Sequence, residues 1–123
     1  MYKGIIIAES LMNPEIINKL RVYKIEISEK DEEIPRENRK TRWHLYWVKI
    51  GKKQIEEISG NIKEGWYAHF WQGKDIIVIF KDKKFKINFD DKLTWKDAVD
   101  YGKSLGIPEE QLDFLIEEVE GEK

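Results

Sequence analysis

The chain has 123 residues, the size of one ordinary domain, which is long enough to bury a core without a covalent or metal staple. It contains no cysteine, which excludes disulfides, thiolate nucleophiles, iron–sulfur clusters and thiolate zinc sites. Its net charge of −2 gives no general attraction to nucleic acid or to anionic lipid. We therefore expect one domain spanning residues 1–123, with no nucleic-acid partner and no membrane partner.

The N-terminal part of the chain predicts a strand, a short helix and a second strand. Residues 5–8 form a continuous β-branched run, which is typical of a strand buried on both faces. The run meets Glu9 after a few residues, too soon for a signal peptide or a membrane span, so we expect a cytoplasmic protein. Asn13 and Pro14 supply a cap and a first helical residue, and residues 22–28 alternate as a half-exposed strand does.

A polar segment, residues 29–41, follows the second predicted strand. It holds one apolar anchor, Ile34, and cannot bury enough apolar surface to fix its own conformation, so we expect a mobile loop. Basic residues beside a tryptophan segment are used by single-strand nucleic-acid binders, but the acidic residues here largely cancel the field. The basic residues are Arg36, Arg39, Lys40 and Arg42, and the acidic ones are Asp31, Glu32, Glu33 and Glu37.

The middle of the chain predicts a strand, a helix and three further strands. Residues 42–50 form the strand, and residues 53–63 form the helix because Ile55, Ile58 and Ile62 recur at helical spacing. Lysines alternate with apolar residues on the last strand, which suits a protected sheet edge. The three further strands are residues 66–71, residues 75–80 and a segment containing Phe85, Ile87 and Phe89.

Two helices are predicted at the C-terminal end, one from Thr94 through Leu105 and one that starts at Pro108. The inner face of the second would carry Leu112, Leu115, Ile116 and Val119. The order strand, short helix, strand, strand, helix, strand resembles a ferredoxin-like βαββαβ unit, extended here by a β-hairpin and the two C-terminal helices. We therefore predict an α+β fold in which a mostly antiparallel sheet has helices on one face.

Four of the five tryptophans and both histidines lie in two aromatic segments, residues 43–47 and 66–71. Strand alternation places Trp66 on the face opposite the histidine of its own segment. If the two strands share a sheet in a suitable register, one surface carries His44, Tyr46, Tyr67, His69 and Trp71. The same pattern also fits a core in which aromatic rings fill the space between sheet and helices and each histidine is a hydrogen-bonded boundary residue.

The chain has few of the residue patterns that enzymes require. Two histidines can form an acid–base pair, but no nucleophile elbow, phosphate loop or zinc-protease helix motif is present. No ligand spacing typical of a metal site occurs, so neither a metal nor a cofactor is predicted. Glu9 and Ser10 follow a buried strand, where they can cap the turn or meet a small anion, and capping alone explains them.

These observations favour non-catalytic binding of a small molecule or a partner protein through an aromatic and histidine surface. The predicted ligand-binding residues are Glu9, His44, Tyr46, Tyr67, His69 and Trp71. One alternative is a small enzyme that uses His69 with His44 or Glu9 in acid–base chemistry. Another is a structural module that forms a homo-oligomer through sheet edges or exposed aromatic rings. The sequence leaves open whether the protein is an enzyme.

Overall fold

The computed structural model describes residues 1–116, which form a six-stranded sheet, a separate two-stranded hairpin and two α-helices. The sheet has the order β2-β5-β1-β6-β7-β8, and every neighbouring pair in it is antiparallel. The predicted α+β class with a mostly antiparallel sheet is therefore confirmed. In chain order the elements are β1 (Tyr2–Ile7), β2 (Arg21–Ile27), β3 (Glu32–Ile34), β4 (Arg39–Thr41), β5 (His44–Ile50), α1 (Lys52–Asn61), β6 (Ala68–Gln72), β7 (Asp75–Phe80), β8 (Lys83–Asn88) and α2 (Lys96–Ser104).

The short helix expected after β1 is a 3-10 helix, Pro14–Lys19. The Asn13 side chain accepts a hydrogen bond from the backbone N–H of Glu15 at 3.1 Å, which is the capping role that the sequence indicates. No helix within residues 1–116 combines the length and the apolar character that crossing a membrane requires.

One face of the sheet, which we call the α1 face, is closely packed against α1. Ile55 and Ile58 of the helix are buried there, because their spacing places both on the side that faces the sheet. Trp66 also packs on this face, where its ring lies 5.1 Å from that of Trp43. The buried sheet residues of this face are Ile6, Val48, Ile50, Ala68, Phe70, Ile77 and Ile79.

The opposite face, which we call the α2 face, is covered by α2 and the segment after it. The prediction that helices lie on one face is therefore wrong, and β7 supplies the physical reason. Ile77 and Ile79 of β7 pack on the α1 face, while Ile76, Val78 and Phe80 pack on the α2 face. A strand that is apolar on both sides needs cover on both sides, and the second helix provides it.

The segment after α2 differs from the predicted second C-terminal helix. Between α2 and residue 116, the last one described, the chain forms one 3-10 turn, Glu109–Gln111, and then buries alternate residues, Leu112, Phe114 and Ile116. Leu115, which was expected on the inner face of a helix, is 60% exposed. Strand-like alternation is favoured over the predicted helix because it places three apolar side chains against the α2 face. The predicted inner residue Val119 lies outside the described residues.

The polar segment 29–41, expected to be a mobile loop, contains the antiparallel hairpin β3–β4. Ile34 is its anchor and is only 2% exposed. The turn is tied to the rest of the protein by an ion pair between Glu37 and Lys63, whose Oε2 and Nζ atoms are 2.9 Å apart. Arg36 Nη2 donates to the carbonyl oxygen of Leu105 at 3.1 Å, so the hairpin also contacts the loop after α2. The buried Ile34 and these polar contacts account for the hairpin, which the polar composition of the segment does not predict.

Candidate ligand-binding pocket

Strand register decides which predicted site residues share a surface. Ile5 of β1 pairs with Trp47 on one side and with His69 on the other, so these three side chains lie on the α2 face. The next residue, Ile6, pairs with Tyr46 on the α1 face. Strand alternation places His44, two residues before Tyr46, on the α1 face with Tyr46. It places Tyr67 and Trp71 on the α2 face with His69. The structure therefore divides the five residues between two faces and does not form the single surface predicted for them.

His44 and Glu9 form a local pair at the end of β1. The carboxylate of Glu9 accepts a hydrogen bond from the backbone N–H of His44 at 2.8 Å, and its other oxygen lies 2.7 Å from His44 Nδ1. Ser10 Oγ donates to the carbonyl oxygen of Ile7 at 2.6 Å, which holds the 3-10 turn Ala8–Ser10. The capping role expected of Glu9 and Ser10 is thus what the geometry favours, since backbone and neighbouring side chains engage both groups.

Tyr46 and Trp71 have packing roles. Tyr46 is partly buried against the α1-face core, and Trp71 is 1% exposed within the α2-face core. A side chain with this little exposed surface is not available to a ligand without repacking. Trp71 therefore supports the sheet, and Tyr46 packs against the α1-face core while part of its side chain stays exposed.

Tyr67 and His69 lie side by side under the segment that follows α2. The Tyr67 hydroxyl donates to the carbonyl oxygen of Gln111, and its ring packs edge-on against Phe114 at 5.5 Å. Burial raises the pKa of Tyr67 to about 12, because the phenolate loses its hydration. The phenol is therefore neutral and acts as a hydrogen-bond donor across the physiological range.

His69 makes a comparable contact with the same segment. Its Nε2 lies 2.7 Å from the carbonyl oxygen of Leu115, and since a carbonyl only accepts, Nε2 carries the proton. Burial between Trp71 and Phe114 lowers the pKa of His69, although the Leu115 carbonyl and Asp113 favour the charged form. The ring is thus a neutral imidazole at pH 7 whose Nδ1 has a free lone pair.

A pocket of about 1180 Å³ opens on the α2 face beside His69, and it extends to Ile7, Trp43 and Trp66 of the α1-face core. Its floor is formed by Ile5 and Ile7 of β1, Leu45 of β5, and the pair Tyr67 and His69. The walls are the end of β2, the β3–β4 hairpin, and the loop after α2. The pocket exists because the cover of this face is incomplete: the α2-face core centres on β6, β7 and β8, and the floor residues on β1 and β5 stay only half-buried.

The position of the hairpin depends on Gly65, which has φ of +88°. A Cβ atom there would lie 2.8 Å from Arg36 Nε, so glycine lets the arginine side chain cross the backbone toward Leu105. The hairpin thereby becomes a fixed wall of the pocket. Sequence reasoning missed this wall, and the one signal that could have found it is the isolated Ile34 within a polar run.

Four tryptophans, Trp43, Trp47, Trp66 and Trp71, have a buried indole N–H without a hydrogen-bond partner within residues 1–116, and two of them lie at the pocket. These two are Trp43 and Trp66. Buried donors without an acceptor destabilise the structure. Because Trp47 and Trp71 have the same feature and do not line the pocket, it does not mark the pocket as a ligand site.

Comparison with protein-family models, curated proteins and solved structures finds no match to the chain. Residues 1–116 contain no group of three or more histidine, aspartate and glutamate side chains arranged as metal ligands. The candidate site is therefore defined by geometry alone: a large, partly apolar pocket lined by residues of both faces of the sheet.

Proposed function

We propose that the protein is a non-catalytic binding protein that holds a small, largely apolar molecule in this pocket. The observation that carries the proposal is the pocket itself, about 1180 Å³ in volume with an isoleucine and leucine floor bordered by aromatic rings. Such a lining, with a few polar groups, is typical of ligand sites.

Binding is better supported than acid–base catalysis. The enzyme alternative joins His69 to His44 or Glu9, but Glu9 is engaged by His44, and His44 lies on the other face of the sheet. One nitrogen of His69 is committed to the Leu115 carbonyl. A neutral imidazole beside a pocket can orient a ligand through Nδ1, which requires no proton transfer.

The strand arrangement also supports a ferredoxin-like core. The first four long strands have the spatial order β2-β5-β1-β6, with every pair antiparallel, and α1 connects the last two of them along the chain. The hairpin strands β7 and β8 extend this unit at one edge.

The location that best fits the absence of cysteine is the cytoplasm.

A second candidate function, self-association, is favoured by the opposite edge of the sheet. β2 is an edge strand, and Ile25 and Ile27 on it are 57% and 52% exposed. An edge strand with exposed apolar side chains is a site at which another chain can add. The size and lining of the pocket make ligand binding the first proposal.

A thermal-shift screen of neutral and charged aromatic compounds tests the proposal with two matched variants. Leu45→Trp fills part of the pocket floor, and Ile25→Trp places the same ring at an exposed position on the opposite face. A ligand at 100 times its Kd should stabilise the wild type and Ile25→Trp by about 2.7 kcal/mol and Leu45→Trp by much less. Circular dichroism would show that both variants fold. A screen without a stabilising compound, or equal shifts in all three proteins, would contradict ligand binding in this pocket.

A further inference from the structure

The walls of the pocket carry a concentration of acidic side chains. Glu26 lies near the end of β2, Glu29 lies just after it, and Glu32 and Glu33 belong to β3. Arg36 is the one cationic side chain among the pocket-lining residues within the described part of the chain. Since the whole chain has a net charge of only −2, this is a local feature and does not reflect the composition.

Three of these carboxylates are not neutralised. Glu29, Glu32 and Glu33 take part in no ion pair within residues 1–116, whereas Glu26 is 3.6 Å from the exposed Lys24. Arg36 is committed elsewhere, because its guanidinium donates to the Leu105 carbonyl.

Two acidic residues outside the pocket, Glu37 and Asp100, do have cationic partners. Glu37, outside this set, has both Lys63 and Arg39 as partners, and Asp100 is paired with Lys96 at 2.7 Å. The charges of Glu29, Glu32 and Glu33 at the pocket have no such cationic partner within the described residues.

Negative charge beside an apolar floor selects the chemistry of the occupant. Carboxylates on the walls of a concave, low-dielectric site focus a negative potential into it, which attracts cations and repels anions. The floor of Ile5, Ile7 and Leu45 in turn favours an apolar body.

We propose that the ligand of this pocket is a small organic cation with an apolar body, whose charge lies against Glu29, Glu32 and Glu33 while its apolar part contacts the floor formed by Ile5, Ile7 and Leu45. The proposal rests on the ligand-binding function proposed above. It adds the charge of the ligand, which the binding proposal alone does not specify.

Three compounds with one aromatic skeleton test the sign of the charge by isothermal titration calorimetry: 1-naphthylmethylamine, which is cationic, 1-naphthalenemethanol, which is neutral, and 1-naphthoate, which is anionic. At low salt the amine should bind at least about tenfold more tightly than the alcohol. The anion should bind most weakly. Raising the salt from about 0.01 M to about 1 M shortens the screening length from about 30 Å to about 3 Å, so it should weaken the amine far more than the alcohol.

Charge-neutral variants test the assigned residues. The triple variant Glu29→Gln, Glu32→Gln, Glu33→Gln should reduce the ratio of amine to alcohol affinity to near one and leave the alcohol unchanged. The control variant Glu15→Gln, Glu57→Gln, Asp75→Asn has the same change in net charge at exposed positions outside the pocket, and it should retain the preference.

The outcomes separate the two proposals. Equal or tighter binding of the alcohol than of the amine by the wild type would overturn the cation proposal and leave ligand binding in place. The cation proposal would also be overturned if the control variant lost the preference for the amine as fully as the pocket variant does. The preference would then come from the net charge of the protein and not from the pocket carboxylates. If none of the three compounds binds, or if Leu45→Trp leaves their binding unchanged, the binding function and the cation proposal both fail.

Discussion

The two faces of the sheet are covered to different extents. On the α1 face the cover is complete over the central strands, where Ile6, Val48 and Phe70 are fully buried. On the α2 face the cover is complete over β6, β7 and β8 but stops short of β1 and β5, where Ile5 and Leu45 line an open pocket. The difference shows that a site can arise where a covering element ends, without a specialised motif in the strands that form its floor.

Gly4 shows how closely the α1 face is packed. A Cβ atom at this position would overlap the Phe70 ring and lie 2.9 Å from the carbonyl oxygen of His69, which is backbone that cannot move aside. Glycine is thus required by the close approach of an aromatic ring to β1, and not by a turn.

Adjacent residues of β1 offer a matched comparison. Ile5 and Ile6 have the same side chain on the same strand, and both are paired with β5, but Ile5 faces the pocket and Ile6 faces the closed core. A difference between the effects of substituting Ile5 and Ile6 therefore reflects the difference between the two faces of the sheet.

The largest effect is expected for Ile6→Ala. The side chain is fully buried, so truncation removes apolar contacts and leaves a cavity that the dense surroundings cannot fill. We expect a loss of about 2–5 kcal/mol in the free energy of unfolding, measured by denaturant titration. A loss below about 1 kcal/mol would mean that the α1 face relaxes easily, and the contrast between the faces would then disappear.

The comparison also explains what the sequence could predict. Alternation within one strand is local, so the opposition of Trp66 to Tyr67 follows from the sequence and is confirmed. The relative facing of His44 and His69 depends on how β5 and β6 each pair with β1, which no periodicity within a strand contains. The sequence therefore could not predict that these two histidines lie on different faces of the sheet.

The pocket walls illustrate a second limit. The helix α1 and the strands were predictable within a few residues, because their apolar spacing is strong. The β3–β4 hairpin is polar, and it is held by Ile34 and by contacts of Arg36 and Glu37 with distant residues. Contacts over long sequence separation decide its conformation, so composition alone favoured a loop.

An intermediate effect is expected at His69, at the boundary between the closed and open parts of the α2 face. Because burial lowers its pKa in the folded state, the unfolded chain binds more protons as the pH falls below the ordinary histidine value of about 6.5. The stabilisation from the neutral imidazole is therefore full above that value and is lost as the pH falls through the folded pKa. Denaturant titrations at about pH 7.5 and about pH 5 should show this loss in the wild type.

Two substitutions separate the proton from the hydrogen bond. His69→Leu removes the donor to the Leu115 carbonyl and should cost about 1–3 kcal/mol near neutral pH. His69→Gln keeps a donor and should cost less, yet both variants should lack the contribution of His69 to the loss of stability on acidification. His44→Gln, which changes the other histidine, should retain that contribution. If His69→Gln showed the same acid-induced loss as the wild type, another group would have to be responsible.

The smallest effect on stability is expected for Ile5→Ala, the counterpart of the first substitution. Ile5 is half-buried and borders the pocket, so its truncation enlarges an existing opening and creates no closed cavity. The free energy of unfolding should fall by about 1 kcal/mol, well below the loss for Ile6→Ala. Binding should respond in the opposite order: Ile5→Ala removes apolar contact with the ligand and should weaken 1-naphthalenemethanol several-fold in calorimetry, while Ile6→Ala, measured where it remains folded, should change that affinity little. Suppose instead that both variants lose the same free energy of unfolding and that Ile5→Ala has no separate effect on binding. The half of the α2 face over β1 would then be ordinary core, and the pocket would not bind a ligand through its floor.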